Sequence, residues 1–198
     1  MQIDFNEEKH EYRVGGIITP SVSQILKANG LMGNFKFNET AMQNGTAIHK
    51  ALELWDKGTL DMNSVDSRVM KCISLWEKAK KDLGIVGLEA IEKQVHFMTL
   101  FAGTIDRVAV TDSNILNQII IDFKTGNPQK WGCLQTAGYG WCLNKNNPFN
   151  FERMCMKIHW DMDRVKIESH TNKDDFAAFM SMANVYHWKK NNGYLEEK

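Results

Sequence analysis

The sequence is poor in proline, with three residues in 198, and it has no net charge, since 24 Lys and Arg balance 24 Asp and Glu. Scarce proline excludes a proline-rich linker or recognition tail. Charge balance argues mildly against a nucleic-acid partner, because any basic surface has to be local. No apolar run approaches the ~20 residues that cross a bilayer. The opening "MQIDFNEEKHEY" lacks a basic and then apolar leader, so it does not read as a signal peptide, and the sequon Asn38-Glu39-Thr40 carries no meaning. The expected location is the cytoplasm. Four cysteines, at 72, 133, 142 and 155, show neither C-x-x-C nor zinc-finger spacing and read as free thiols. Repeats and low-complexity tracts are absent as well.

What is present is a well-supplied core. Hydrophobic residues make up 43% of the chain, with ten Phe and six Trp, enough for one domain of ordinary size over 1–198. "IDFNEEKHEYRVGGIITP" reads as short strands with turns at Asn6-Glu7 and Gly15-Gly16. Ser21 with Gln24 three residues on is a capping box, and Gly30 closes that helix. This hairpin and helix form an N-terminal part, 1–39. Two amphipathic helices follow, one with Ile48, Leu52 and Trp55 on a face and one with Val69, Ile73 and Trp76. The period then changes to that of strands, in "EAIEKQVHFMTL", "FAGTIDRVAVTD" and "NILNQIIIDFKTG". "QKWGCLQTAGYGWCLNK" is helical and completes a motif-bearing core, 40–145. A strand pair around Asp161-Met162-Asp163 and a helix capped by Asn172 fill 146–198. The order predicts an α/β or α+β sandwich, a mixed sheet flanked by helices.

The apolar run at 119–123 raises a question, because Asp122 sits inside it and Lys124 ends it. Residues i and i+2 of a strand share a face, so the acid and the base project side by side. If neighbouring strands pair, Asp106 of "AGTIDRV" comes close to Asp122, and Glu92 of "AIEKQV" arrives from the strand before. Carboxylates that close repel one another. A hard divalent cation such as Mg²⁺, which prefers oxygen ligands, relieves the repulsion. Glu89 rivals Glu92, but the Glu-x-x-Val spacing before "AGTID" favours Glu92. Arg107 should face away from Asp106 on a regular strand. Thr104 and Thr125 are expected to bond to nearby backbone. A lone Asp-x-Lys means little; the ordered set of His49, Glu92, Asp106, Asp122-x-Lys124 and Gln135-x-x-x-Tyr139 means more.

On "GTAIH" (45–49), "EKQV" (92–95), "AGTIDRV" (102–108), "IIDFKTG" (120–126) and "LQTAGY" (134–139), the chain resembles RecB-type nucleases of the PD-(D/E)XK superfamily. "HEYRVGGIITPSVSQIL" is similar, more loosely, to the front end of phage and mitochondrial exonucleases of that type. The resemblance implies a restriction-endonuclease-like core. It also implies that Asp106, Asp122 and the carbonyl of Phe123 ligate Mg²⁺, with Mn²⁺ able to substitute, and that His49 reaches the metal from its helix. Glu92 would bind or orient a metal or its water, and Lys124 would position the attacking water. Gln135 and Tyr139 would support the site or touch nucleic acid. His49 could equally be a core histidine, and Gln135 and Tyr139 purely structural. The cysteines lack the bunching of relatives that hold an iron–sulfur cluster, so none is expected.

The expected activity is a Mg²⁺-dependent exonuclease acting on DNA ends, in phage or prophage recombination, replication or repair. The expected cell is a bacterium, or a host infected by phage. An endonuclease of the same superfamily and a non-catalytic DNA-end-binding module stay open, as does a homo-oligomer or a recombination or single-strand-binding partner. Lys78, Lys80, Lys81, Lys130 and Trp131 are candidates for contacts with the DNA backbone and bases.

Overall fold

In the computed structural model the described residues are 1–32, 39–112, 118–127 and 129–195. Asn38, at the start of one expected helix, and residues 114–117 of one expected strand lie outside them. Three short strands, β1 (Ile3–Asn6), β2 (Glu11–Val14) and β3 (Ile17–Thr19), form an antiparallel N-terminal sheet. Gly15 and Gly16 both take positive φ, 57° and 81°, which is what a two-residue hairpin of the primed type requires. Helix α1 (Val22–Ala28) opens with the anticipated capping box: Ser21 Oγ accepts the Gln24 N–H at 3.1 Å and Gln24 Oε1 accepts the Ser21 N–H at 2.8 Å.

Helices α2 (Glu39–Asp56) and α3 (Ser67–Asp82) precede a five-stranded sheet. Its strands are β4 (Ile85–Phe97), β5 (Phe101–Thr111), β6 (Gln118–Lys124), β7 (Phe151–Lys157) and β8 (Lys166–Ser169), in spatial order β4-β5-β6-β7-β8. All neighbours are antiparallel except β6 and β7. A parallel pair needs a crossover, and α4 (Gly132–Leu143) supplies it. Helix α5 (Asp174–Asn191) ends the described chain. Asn172 stands one residue outside the position expected of it: Lys173 precedes the helix, and Asn172 Oδ1 accepts the Asp174 N–H at 3.0 Å. This is the mixed α+β sandwich that the order of elements predicts.

Both faces of the sheet are covered, and this explains the unbroken apolar run of β6. Ile120 packs with Val22, Phe101, Ile105 and Phe179 under α1, α4 and α5. Ile119, Ile121 and Phe123 pack with Ile48, Leu52 and Trp76 under α2 and α3. Asp122 and Lys124 share the parity of Ile120, so their side chains leave β6 on the α4 side. The N-terminal sheet is joined to β5 through Tyr12, Val14 and Ala102, and by the Ala102 N–H donated to Pro20 O at 2.9 Å.

A buried cation ties β7 to the helices above it. Arg153 donates to Asp175 at 2.9 Å, to Asn172 O at 2.8 Å and to Cys133 O at 2.7 Å, and its guanidinium lies 4.4 Å from the Phe176 ring centre. Removing one partner of such a pair strands a charge away from water. Arg153→Met should cost about 3–5 kcal/mol in denaturant unfolding, and Arg153→Met/Asp175→Leu should recover most of it. A single variant as stable as wild type would show that this pair contributes nothing.

Candidate active site

The site lies where α2 meets the middle of β4 and β5 and the end of β6. Helix α2 approaches closely because of a glycine: a Cβ on Gly45 would sit 2.9 Å from Thr125 Oγ1. His49 is one turn further along the same face. Its Nδ1 lies 3.8 Å from Asp106 Oδ2, and its ring meets Phe123 edge-on at 6.2 Å. Asp106 is buried, and its Oδ2 accepts the Phe123 amide N–H at 2.6 Å. Burial pushes the Asp106 carboxyl up, against the pull of His49.

Glu92 is placed by an irregularity. It stands opposite Asp106 between the pairs Ile91↔Arg107 and Lys93↔Ile105, and its φ is 48°. That left-handed conformation costs about 1–3 kcal/mol in a non-glycine residue and breaks the strand's alternation. The carboxylate thereby reaches Asp106 as well as Arg107, whose Nη1 donates to it at 3.1 Å. Desolvation first, and the charge of Asp106 second, push the Glu92 carboxyl up to about 7. His49, Glu92 and Asp106 each present a donor atom within 4.8 Å of the others, a group able to hold a metal ion. Glu89, the rival, is exposed and bonds to the Gln118 side chain.

Asp122 stands outside that trio. It lines a cavity of about 330 Å³ together with His49 and Asp106, but its Oδ2 is 2.5 Å from Lys124 Nζ, and Cys155 Sγ donates to that oxygen at 3.6 Å. Burial works to depress the Lys124 ammonium, yet Asp122 outweighs it and the net shift is upward. Lys124 also donates to Gln135 Oε1 at 2.9 Å, and Gln135 Nε2 donates to Tyr139 Oη at 3.0 Å. A Cβ on Gly103 would fall 2.8 Å from Tyr139 Cε1. The glycine of "AGTID" is therefore what admits the tyrosine. Phe123 gives its amide to Asp106 and its ring to the core beside Trp76, 5.0 Å between centres.

Several expectations need correction. Arg107 does leave β5 on the far side from Asp106, but it belongs to the support of the site. Its side chain is fully buried, Nε donates to Asp56 at 2.7 Å, Nη1 donates to Glu92, and the guanidinium lies 5.2 Å from the Phe123 ring centre. Asp56, also fully buried, accepts the Trp76 indole N–H at 2.9 Å and the Lys80 ammonium at 3.2 Å. Lys80 is thus committed internally and is not a free contact for a ligand. Thr104 bonds to the Tyr12 hydroxyl at 2.8 Å, not to nearby backbone. Lys130 is exposed, and Trp131 lies beneath Lys124, 5.3 Å from its ammonium. Only the alternation of strand residues spoke to Arg107, and it spoke for leaving the residue out; nothing local marked Asp56.

The raised Glu92 carboxyl makes stability depend on pH. The folded chain holds this proton more tightly than the unfolded chain, so the stabilisation is full below about 4.5 and is lost as pH rises through about 7. Thermal unfolding in a chelator should show a falling midpoint across that window, and Glu92→Gln should flatten the fall. Adding Mn²⁺ above pH 7 should raise the wild-type midpoint and leave Glu92→Gln less affected. A flat wild-type profile would mean that Glu92 is solvated or fully paired.

No family model matches the chain, and no curated protein matches it. Among solved structures it is similar to the crystal structure of a candidate exonuclease from Eubacterium rectale, at 10% identity and a TM-score of 0.51. The match covers 87% of this chain and 74% of that one. At such identity the likeness establishes a shared fold, the mixed sheet between helices described above.

Proposed function

We propose that the protein is a metal-dependent nuclease that hydrolyses DNA from its ends. The observation that carries this reading is the trio His49, Glu92 and Asp106, set beside the ion pair of Asp122 and Lys124. Two carboxylates raised by burial, Glu92 also by the charge of Asp106 and Asp106 also by that of Asp122, form a donor set that a divalent cation would relieve. Mg²⁺ or Mn²⁺ fits it, with His49, Glu92 and Asp106 as ligands and with Asp122 and the carbonyl of Phe123 completing the set. Such an ion lowers the pKa of water and offsets charge at phosphorus. Lys124 orients the attacking water and adds a cation where negative charge develops. Gln135 holds Lys124 in place, Tyr139 holds Gln135, and Arg107 holds Glu92.

The shared fold with the E. rectale protein supports a nuclease, and the resemblance in motifs supports action on ends. That resemblance extends the reading to phage or prophage recombination, replication or repair. Trp131, which lines the cleft, would meet a base, and its exposed neighbour Lys130 the DNA backbone. A module that merely bound DNA ends would have no use for two carboxylates compensated only in part.

End-labelled linear DNA incubated with the protein and Mg²⁺ should be shortened progressively, while covalently closed circles survive. Equal digestion of relaxed circles would favour an endonuclease. Asp106→Asn, Asp122→Asn and Lys124→Ala should each lower the rate about a hundredfold or more with circular dichroism unchanged. Wild-type cleavage by Asp122→Asn would sink the assignment. His49→Ala should be impaired more in Mg²⁺ than in excess Mn²⁺, and a pure loss of stability would return His49 to the core.

A further inference from the structure

A second cavity, of about 300 Å³, opens on the other side of Asp106 and Tyr139. The two side chains line both cavities, so the second cavity adjoins the metal site. Its far wall is the N-terminal sheet. Phe5 and Tyr12 are cross-strand partners there, stacked with ring centres 4.4 Å apart. Tyr12 is anchored by its bond to Thr104, two residues before Asp106. His10 is exposed, holds a left-handed φ of 48°, and stands edge-on to Phe5 and Tyr12 at 5.4 and 5.9 Å. The turn that presents it is tied by the Lys9 N–H donated to Asn6 Oδ1 at 2.9 Å and the His10 N–H donated to Glu7 O at 3.3 Å.

The charges of the wall decide what can enter. Glu7, Glu92 and Asp106 are carboxylates, and among the described residues no Lys or Arg lines the cavity. Beyond the metal ligands, a phosphate would meet only the carboxylate of Glu7, whereas an uncharged aromatic ring would find a stacking surface and hydroxyl acceptors. The first cavity also holds carboxylates, Asp106 and Asp122, but it adds a cation, Lys124 above Trp131. A nucleic-acid strand crossing between the two has one orientation that suits both: phosphate toward Lys124, base toward His10.

We propose that the cavity between the N-terminal sheet and the metal site receives an unpaired nucleobase next to the phosphate that is cut, stacked on the rings of Phe5 and His10, with the buried ring of Tyr12 backing Phe5. Its volume is at the lower end of small-ligand pockets, ~300–1,000 Å³. The base has to be unpaired because in a duplex its faces are covered by its neighbours, so the strand enters frayed or single. The inference rests on the nuclease reading for the position of the phosphate, but base binding can be measured without hydrolysis.

The full-length protein is titrated, with Ca²⁺ in place of Mg²⁺, into short single-stranded oligonucleotides carrying 2-aminopurine at one position each. One position should be quenched by stacking. Phe5→Leu and His10→Gly should abolish that quenching and weaken binding about 5- to 150-fold, the range for loss of one base–aromatic stack. Removing the base at that position should weaken wild-type binding similarly, and the two losses should not add. His10→Gly relieves a left-handed backbone on an exposed turn, so it keeps the test valid if Phe5→Leu fails to fold. Absence of quenching at every position, quenching untouched by both variants, or losses that add fully would overturn the proposal. Cleavage in Mg²⁺ and Mn²⁺ is assayed separately. Quenching that depends on the rings in a protein that cuts nothing would uphold the base site and reject the nuclease reading; cutting without quenching would do the opposite.

Discussion

Arg107 is a cation with no access to water, and the candidate site is organised by how that charge is compensated. A buried guanidinium is tolerable only with carboxylates in good geometry. Asp56 and Glu92 provide them from different elements, at 2.7 and 3.1 Å. Asp56 lies at the C-terminal end of α2, where the helix dipole disfavours an acid. Trp76 and Lys80 of α3 offset that by donating to it. The chain of bonds thus runs from α3 through α2 and β5 to β4. His49 lies seven residues, about two turns, before Asp56. Pinning the end of α2 therefore also sets where the imidazole meets Asp106. Nη2 of Arg107 finds no hydrogen-bond partner among the described residues, so even this arrangement leaves one donor unmatched.

Charge is divided unevenly across the cleft. Asp122 is neutralised internally by Lys124, which Gln135 and the Trp131 ring hold in turn. Glu92 and Asp106 have only partial compensation and hold their protons more tightly than exposed carboxyls do. The first pair offsets its own charges. The second pair either keeps a proton or gains a cation, which makes proton release and cation binding two sides of one equilibrium at this place.

Much of the frame could be read from the sequence because it depends on local rules. The capping box at Ser21 needs only four residues, and the projection of Asp122 and Lys124 to one side needs only the two-residue repeat of a strand. The pairing that brings Asp106 near Asp122 follows from a meander of successive strands. What escaped depends on departures from those rules or on distance along the chain. Alternation put Arg107 on the far side of the strand, correctly, but could not foresee that a left-handed Glu92 would turn to meet it. Asp56 looked like the ordinary polar end of a helix, since its partners are 20 to 51 residues away. The stacked Phe5 and Tyr12 were visible as strand residues, yet it is tertiary contacts, the packing of Tyr12 and Val14 on Ala102 and the bond from Tyr12 to Thr104, that bring them to the edge of the cleft.

The left-handed turn at Glu92 has a bearing on solubility as well. Strand β4, 13 residues long, is paired with β5 on one side and, among the described residues, with no strand on the other. A straight border of that length is a template on which another chain can continue the sheet. Register shifts between Ile85 and Gly87 and between Leu88 and Ala90, followed by the reversed φ at Glu92, divide it into short lengths with mismatched hydrogen-bond directions. The distortion that aims a carboxylate inward thus leaves the outer border a poor surface for self-association, and a repair of the strand's regularity at this residue would both empty the site and open the sheet to growth.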